Sequence, residues 1–155
     1  MKHDVFGEIQ YEDFWKRSYE FRIFGENSIG ALYIDGDKEK EIWQIQVDAF
    51  KEFEVNKNFL SEEIEKSLFD YYQSVVDEYR DRYGDVADEF APLITDVFEM
   101  KSLVKFEAID IPYSFVDNQR VVGVLFESKW EIEHGVAIKI INGEIVEVGY
   151  QDIVL

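Results

Sequence analysis

Residues 121–149 read Val121-Val122-Gly123-Val124-Leu125-Phe126-Glu127-Ser128-Lys129-Trp130-Glu131-Ile132-Glu133-His134-Gly135-Val136-Ala137-Ile138-Lys139-Ile140-Ile141-Asn142-Gly143-Glu144-Ile145-Val146-Glu147-Val148-Gly149. Three apolar, β-branched runs at 121–126, 136–141 and 144–148 are separated by the polar knot 131–135 and by Asn142-Gly143, the dipeptide that best tolerates the positive φ angles of a type I′ hairpin. The pattern predicts a β-meander with one charged corner. That corner holds one of the two histidines, set beside carboxylates.

Upstream, short apolar runs at 5–9, 21–24 and 29–34 read as strands, broken by Gly7, by residues 25–28 and by Asp35-Gly36-Asp37. Asp35-Gly36-Asp37 lacks the further carboxylates of a calcium loop and reads as a turn. Ile42, Ile45, Ala49, Phe50 and Phe53 then recur at the spacing of one helical face, predicting a helix over about 42–56. Ser61, followed by Glu62 and Glu63, reads as the N-cap of a second helix over 61–83. Its stripe is Ile64, Leu68, Tyr71, Tyr72, Val75, Val76 and Tyr79, and Gly84 stops it. Pro92 is read as opening a short helix through Leu93, Ile94, Val97 and Phe98, and a strand over 103–111 ends before Pro112. The expected fold is therefore one α+β domain over 1–155: a mainly antiparallel sheet with two amphipathic helices, about 42–56 and 61–83, packed on one face.

Composition narrows the function. Apolar residues at 46% and aromatics at 16% mark a folded chain. With no cysteine, disulfides and thiolate chemistry are excluded, and a reducing cytoplasm is the simplest setting. No apolar leader or spanning segment is visible, so a soluble cytoplasmic protein is expected. The net charge of −18 repels nucleic acid and anionic membranes and attracts basic partners. Between Ser61 and Met100, twelve carboxylates face only Lys66, Arg80 and Arg82, a net of −9 and half the total.

Phosphate loops, dinucleotide fingerprints, nucleophile elbows and His-Glu-x-x-His zinc motifs are all missing from the chain. The remaining chemistry lies at Glu131, Glu133, His134 and Asp152, where a carboxylate beside an imidazole suits general acid–base work or a divalent ion. The plainer reading is that His134 caps a β-corner by bonding to backbone or to Asp152. His3 lies near the terminus and is read as incidental. Tyr71, Tyr72, Tyr79 and Tyr83 at helical spacing read as core with hydroxyls reaching water. Trp130 is a candidate rim anchor for a partner, or a cover for the end of the sheet, whereas Trp15 and Trp43 read as core.

Trp130-Glu131-Ile132-Glu133-His134-Gly135, followed by Asn142-Gly143-Glu144-Ile145 and Val148-Gly149-Tyr150-Gln151-Asp152, resembles the C-terminal signature of a family of small bacterial proteins of unknown function. The likeness extends upstream through Gln46, Ala49 and Phe50 and through Tyr71-Tyr72. Glu131 stands where the family pattern more often has Asp. The resemblance implies a fold label and, since small acidic domains of this kind are often immunity proteins, a toxin-neutralising type of role.

Together these readings give a non-enzymatic, immunity-like binding domain, without cofactor or metal, that docks on a basic protein. Its candidate contact residues are Trp130, Glu131, Glu133, His134, Asp152, Asp77, Glu78, Asp81 and Asp85. The alternatives are a hydrolase or metal-dependent enzyme built on the Glu131, Glu133, His134 and Asp152 corner, and a structural accessory domain.

Overall fold

A computed structural model describes residues 1–154. The chain opens with β1 (Lys2–His3) and β2 (Gly7–Glu8), a small antiparallel hairpin, so of the expected strand over 5–9 residues 7–8 are strand and Val5 and Phe6 belong to the turn before it. His3 is not incidental: its Nδ1 accepts hydrogen bonds from the N–H groups of Val5 (3.0 Å) and Phe6 (3.2 Å) and so caps that turn. Next come β3 (Gln10–Glu12), β4 (Phe14–Ile23) and β5 (Glu26–Ile34). Within β4, buried Tyr19, Phe21 and Ile23 alternate with exposed Ser18, Glu20 and Arg22. This period of two carries the strand well upstream of the expected 21–24.

The two expected helices are one. Helix α1 runs Gln44–Tyr83 over 40 residues, and no glycine or proline interrupts it. Asn56, Asn58 and Ser61 look like a break in sequence, but their role is local. Asn56 donates to the Glu52 carbonyl (3.0 Å), and Ser61 Oγ donates to the Asn58 carbonyl (2.9 Å), so Ser61 is not a cap. The apolar stripe carries on across this polar patch because Lys57 occupies the stripe position between Phe53 and Leu60. Its ammonium sits 5.9 Å above the Tyr19 ring and 2.8 Å from Glu54. Gly84, at φ 57°, ends α1 as expected. Pro92 opens no helix: α2 (Ala87–Phe90) stops before it, and a 3₁₀ turn, Val97–Ser102, follows.

The remaining strands are β6 (Val104–Ile111), β7 (Val121–Ser128), β8 (Val136–Ile141) and β9 (Glu144–Gly149), with a terminal 3₁₀ turn Gln151–Val154. Asn142 (φ 51°) and Gly143 (φ 84°) make the predicted hairpin between β8 and β9. Strands β3 to β9 form one seven-stranded sheet in sequence order. Every neighbouring pair is antiparallel except β5 and β6, which run parallel over Ala31–Ile34 against Ala108–Ile111. The architecture is α+β, with α1 covering one face.

On that face α1 buries Phe50, Phe53, Leu60, Ile64, Leu68, Tyr72 and Val76 against Tyr19 and Phe21 of β4, Ile109 of β6, Val124 and Phe126 of β7 and Ile138 of β8. On the other face a smaller cluster of Ala108, Leu125, Ala137 and Val154 packs the terminal turn onto the sheet. Gly123 lies beneath that turn, where an added Cβ would sit 2.8 Å from Val154 Cγ1. Among the described residues no helix is long and apolar enough to cross a membrane.

A single buried carboxamide ties α1 to the sheet. Gln46 is 1% exposed. Its Oε1 accepts from the Trp43 N–H (3.1 Å), and its Nε2 donates to the carbonyls of Asp35 (2.8 Å) and Ile111 (3.1 Å), at the ends of β5 and β6. Replacing it with an apolar side chain of similar size takes the partner from the Trp43 N–H and the Asp35 carbonyl, at about 1–3 kcal/mol for each group left unsatisfied, while the Ile111 carbonyl keeps the Asp35 N–H (3.1 Å). Gln46→Leu is predicted to lower unfolding free energy in urea by about 2–4 kcal/mol; a loss below about 0.5 kcal/mol would show that the tie carries little.

Asp110 is the other buried polar group of note. It is 6% exposed and lies between its strand partners Tyr33 and Gly123. Burial, with Asp35 nearby, pushes its carboxyl up from 3.8 to about 7. A raised carboxyl favours the folded state only while protonated, so this contribution is present at acid pH and is lost as pH rises through about 7. The ceiling is about 4 kcal/mol. Asp110→Asn is therefore predicted to raise stability more at pH 8 than at pH 5, as read by thermal unfolding at both. An equal change at the two pH values would show that the buried charge is not penalised.

Candidate functional site

The charged corner follows β7. Residues Glu131–Gly135 close a turn in which the Gly135 N–H donates to the Glu131 carbonyl (3.0 Å), with Gly135 at φ 60°. Ser128 anchors its start: Oγ donates to the Glu131 carbonyl (2.7 Å) and accepts from the Glu131 N–H (3.1 Å). A side chain at 135 is also excluded by contact, since a Cβ would lie 2.5 Å from Gln151 Nε2. Gln151 in turn donates to the Phe126 carbonyl (3.0 Å) and to Glu107 (2.5 Å), locking the terminal turn behind the corner. Ile132, Glu133 and His134 thus sit in a turn rather than a strand, which frees Glu133 and His134 from facing opposite ways.

The C-terminal half of α1 passes directly over this turn. Tyr83 donates to the Trp130 carbonyl (2.6 Å). Tyr79 donates to Glu131 Oε1 (3.0 Å) and lies 3.2 Å from the Tyr150 hydroxyl. His134 Nδ1 is 3.3 Å from Glu131 Oε2, and its ring stacks on Tyr150 at 4.7 Å between centroids and 19° between planes. Because a phenol has one proton, the order is fixed: Tyr150 donates to Tyr79, Tyr79 donates to Glu131, and His134 donates from the other side.

The electrostatics follow from that order. Burial raises the Glu131 carboxyl, but the bonds from His134 and Tyr79 outweigh it, so the net shift is downward. Burial, together with the bonds to Tyr150 and Glu131, pushes the Tyr79 phenol up. Tyr83 is raised by burial and by Glu131, and Tyr72, whose hydroxyl donates to the Pro92 carbonyl (2.6 Å), is pushed up to about 12 by burial.

The family described as a domain of unknown function (DUF6985) covers residues 5–155. The chain belongs to the DUF6985 family. Neither curated proteins nor solved structures match it.

In this DUF6985 domain the expected contact residues meet at one end of the molecule, but not all in the expected way. Trp130 is corrected: at 1% exposure, packed 4.8 Å from the Tyr72 ring, it covers the end of the sheet and offers no surface anchor. Trp43 is corrected in the opposite sense, being 40% exposed. Glu131 is mostly buried, whereas Glu133, His134 and Asp152 are exposed, and His134 bonds to Glu131 rather than to Asp152. Asp77, Glu78, Asp81 and Asp85 are all exposed on the stretch of α1 and the turn after it that overlie the corner. Glu78 pairs with Arg82, whose guanidinium lies 5.0 Å above the Tyr79 ring. The tyrosines are core residues as read, but the hydroxyls of Tyr72, Tyr79 and Tyr83 bond inside the protein rather than to water.

Chemically the corner is one carboxylate, one imidazole and two phenols. A cavity of about 840 Å³ beside it is lined by Ile132, Glu133, Gly135 and Gln151, and neither Glu131 nor His134 reaches it. Among the described residues no group of three or more His, Cys, Asp or Glu side chains is placed to hold a metal ion. The sequence reading missed Tyr79 and Tyr150, which complete the network. The available signal was that Tyr79 and Tyr83 share the apolar stripe of α1 while each carries a polar group needing a partner.

A lowered carboxyl stabilises the fold above its ordinary range and loses that contribution as pH falls through the folded value. Glu131→Gln is predicted to cost about 1–2 kcal/mol at neutral pH and clearly less near pH 3, by urea unfolding at both. A cost that does not change with pH would mean that the charge on Glu131 is not what the tyrosine and histidine hold.

Proposed function

We propose that this DUF6985 domain is a non-enzymatic, immunity-like protein-binding domain of the bacterial cytoplasm, whose acidic end docks on a basic partner. The observation that carries the reading is the contrast at that end. Glu131, His134, Tyr79 and Tyr150 spend their polar atoms on one another, while Asp77, Asp81 and Asp85 point to solvent and, among the described residues, have no ion-pair partner. Glu133 and His134 in the corner and Asp152 on the terminal turn are exposed as well. Under a net charge of −18, such a surface steers a cationic partner in and fixes its orientation.

One feature favours a rival. His134 Nδ1 faces Glu131 at 3.3 Å and leaves Nε2 as the second nitrogen of a half-exposed ring, the place a hydrolase would need for a general base. This reading requires hydrolytic turnover that His134→Ala abolishes.

The test is affinity capture from the native host at low and high salt. It is followed by affinity measurements on a variant carrying Asp77→Asn, Glu78→Gln, Asp81→Asn and Asp85→Asn. The expected result is a basic protein released at high salt, whose affinity for the variant falls at least about tenfold, mostly through slower association. A partner bound equally well by the variant would overturn the assignment of this surface.

A further inference from the structure

The opposite end of α1 carries a different surface. A helix of 40 residues spans about 60 Å, so this end is remote from the corner. Trp43 occupies the residue before α1, and Tyr113 and Phe115 lie on the segment that leaves β6. The Trp43 and Tyr113 rings are 4.5 Å apart, and Phe115 stands edge-on to Trp43 at 5.6 Å. The three rings therefore pack on one another. Phe115 is 84% exposed and Val116 56%. The other two tryptophans, Trp15 and Trp130, are buried.

Nothing in the fold requires this exposure. The Trp43 backbone is already held by Gln46, so its indole does no work for the start of the helix. Clustered exposed aromatics are the residue types that dominate interface energetics. Their surroundings select the partner. Asp35 Oδ2 accepts from the Tyr113 N–H (3.3 Å), and burial, with the carboxylates of Asp35 and Asp37, holds the Tyr113 phenol above its ordinary value. The adjoining segment 35–41 carries Asp35, Asp37, Glu39 and Glu41 against Lys38 and Lys40, and Asp117 follows Phe115 by two residues. An acid-rimmed aromatic patch attracts a cation twice, through the carboxylates and through the ring faces. A second copy of this chain brings −18 of like charge and is a poor occupant.

We propose that Trp43, Tyr113 and Phe115, rimmed by Asp35 and Asp37, form a docking surface for a basic peptide segment of a partner protein, with a Lys or Arg side chain laid against the exposed rings. The surface is independent of the acidic corner.

Trp43 is the exposed tryptophan and reports its own occupancy. The experiment titrates the intact domain at low salt with a short alternating Arg-Ala peptide and with its Glu-Ala counterpart, following tryptophan emission and heat. The expected result is a saturable emission change with the Arg-Ala peptide alone. Phe115→Ser and Asp37→Asn, both surface changes that keep the circular dichroism spectrum, should each weaken it at least about fivefold. The variant neutralised at Asp77, Glu78, Asp81 and Asp85 should keep it. No saturable emission change overturns the proposal. So does binding that survives Phe115→Ser and Asp37→Asn but is lost in the helix-end variant, an outcome that would leave the function proposed for the corner intact. A Trp43 emission shift that grows with protein concentration alone, with dimers in sedimentation, gives the surface to a second copy and also overturns the proposal.

Discussion

The parallel contact between β5 and β6 constrains the rest of the structure. Antiparallel neighbours need only a short turn, but a parallel pair needs a crossover of a dozen residues or more. Here the crossover contains α1, so the helix must begin where β5 ends and lie along the sheet before the chain returns as β6. Gln46 fixes that geometry with a single side chain, bonding to the start of α1, to the residue after β5 and to the end of β6. The bond to the Ile111 carbonyl is buried and has no water to replace it. Once the first turn is pinned, the stripe from Phe50 to Tyr79 has only one face to cover.

The length of α1 then decides what happens at its far end. Because the helix does not break near Ser61, its last turns reach the corner after β7, and Tyr79 and Tyr83 arrive above Glu131 and Trp130. The same bond explains two opposite shifts. A carboxylate that accepts hydrogen bonds from a phenol and an imidazole prefers to stay charged, and a phenol beside that carboxylate prefers to keep its proton. The result is a brace between helix and sheet. Its polar groups are committed to one another, while the carboxylates of Asp77, Asp81 and Asp85 stay exposed to solvent.

Much of the sheet was legible in sequence. The runs from Val121 to Val148 and the Asn142-Gly143 turn lie where alternation and turn chemistry put them, because each is set by neighbours in the chain. The continuity of α1 was not legible. Asn56, Asn58 and Ser61 are residues that favour caps, but here Asn56 and Ser61 bond back to helix carbonyls while Lys57 lies near the Tyr19 ring. The parallel pairing of β5 and β6 was equally hidden, since strand order is a long-range choice. Among the tryptophans, apolar character alone cannot say which lies under a helix. Trp130 is covered by Tyr72 of α1, whereas Trp43, just outside the first turn, meets the Tyr113 and Phe115 rings and stays 40% exposed. The corner residues were found, but their bonds to Tyr79 and Tyr150 join positions far apart in the chain.

The central claim is that the acidic end of α1 and the corner beneath it form a partner surface and not a reaction centre. Side-chain footprinting by hydroxyl radicals, comparing the free domain with its captured complex, tests this most directly. The account predicts that exposed side chains from Asp77 to Asp85, together with Glu133 and His134, lose reactivity in the complex, while buried Trp130 is unchanged. A complex that leaves all of these positions as reactive as in the free domain would contradict it.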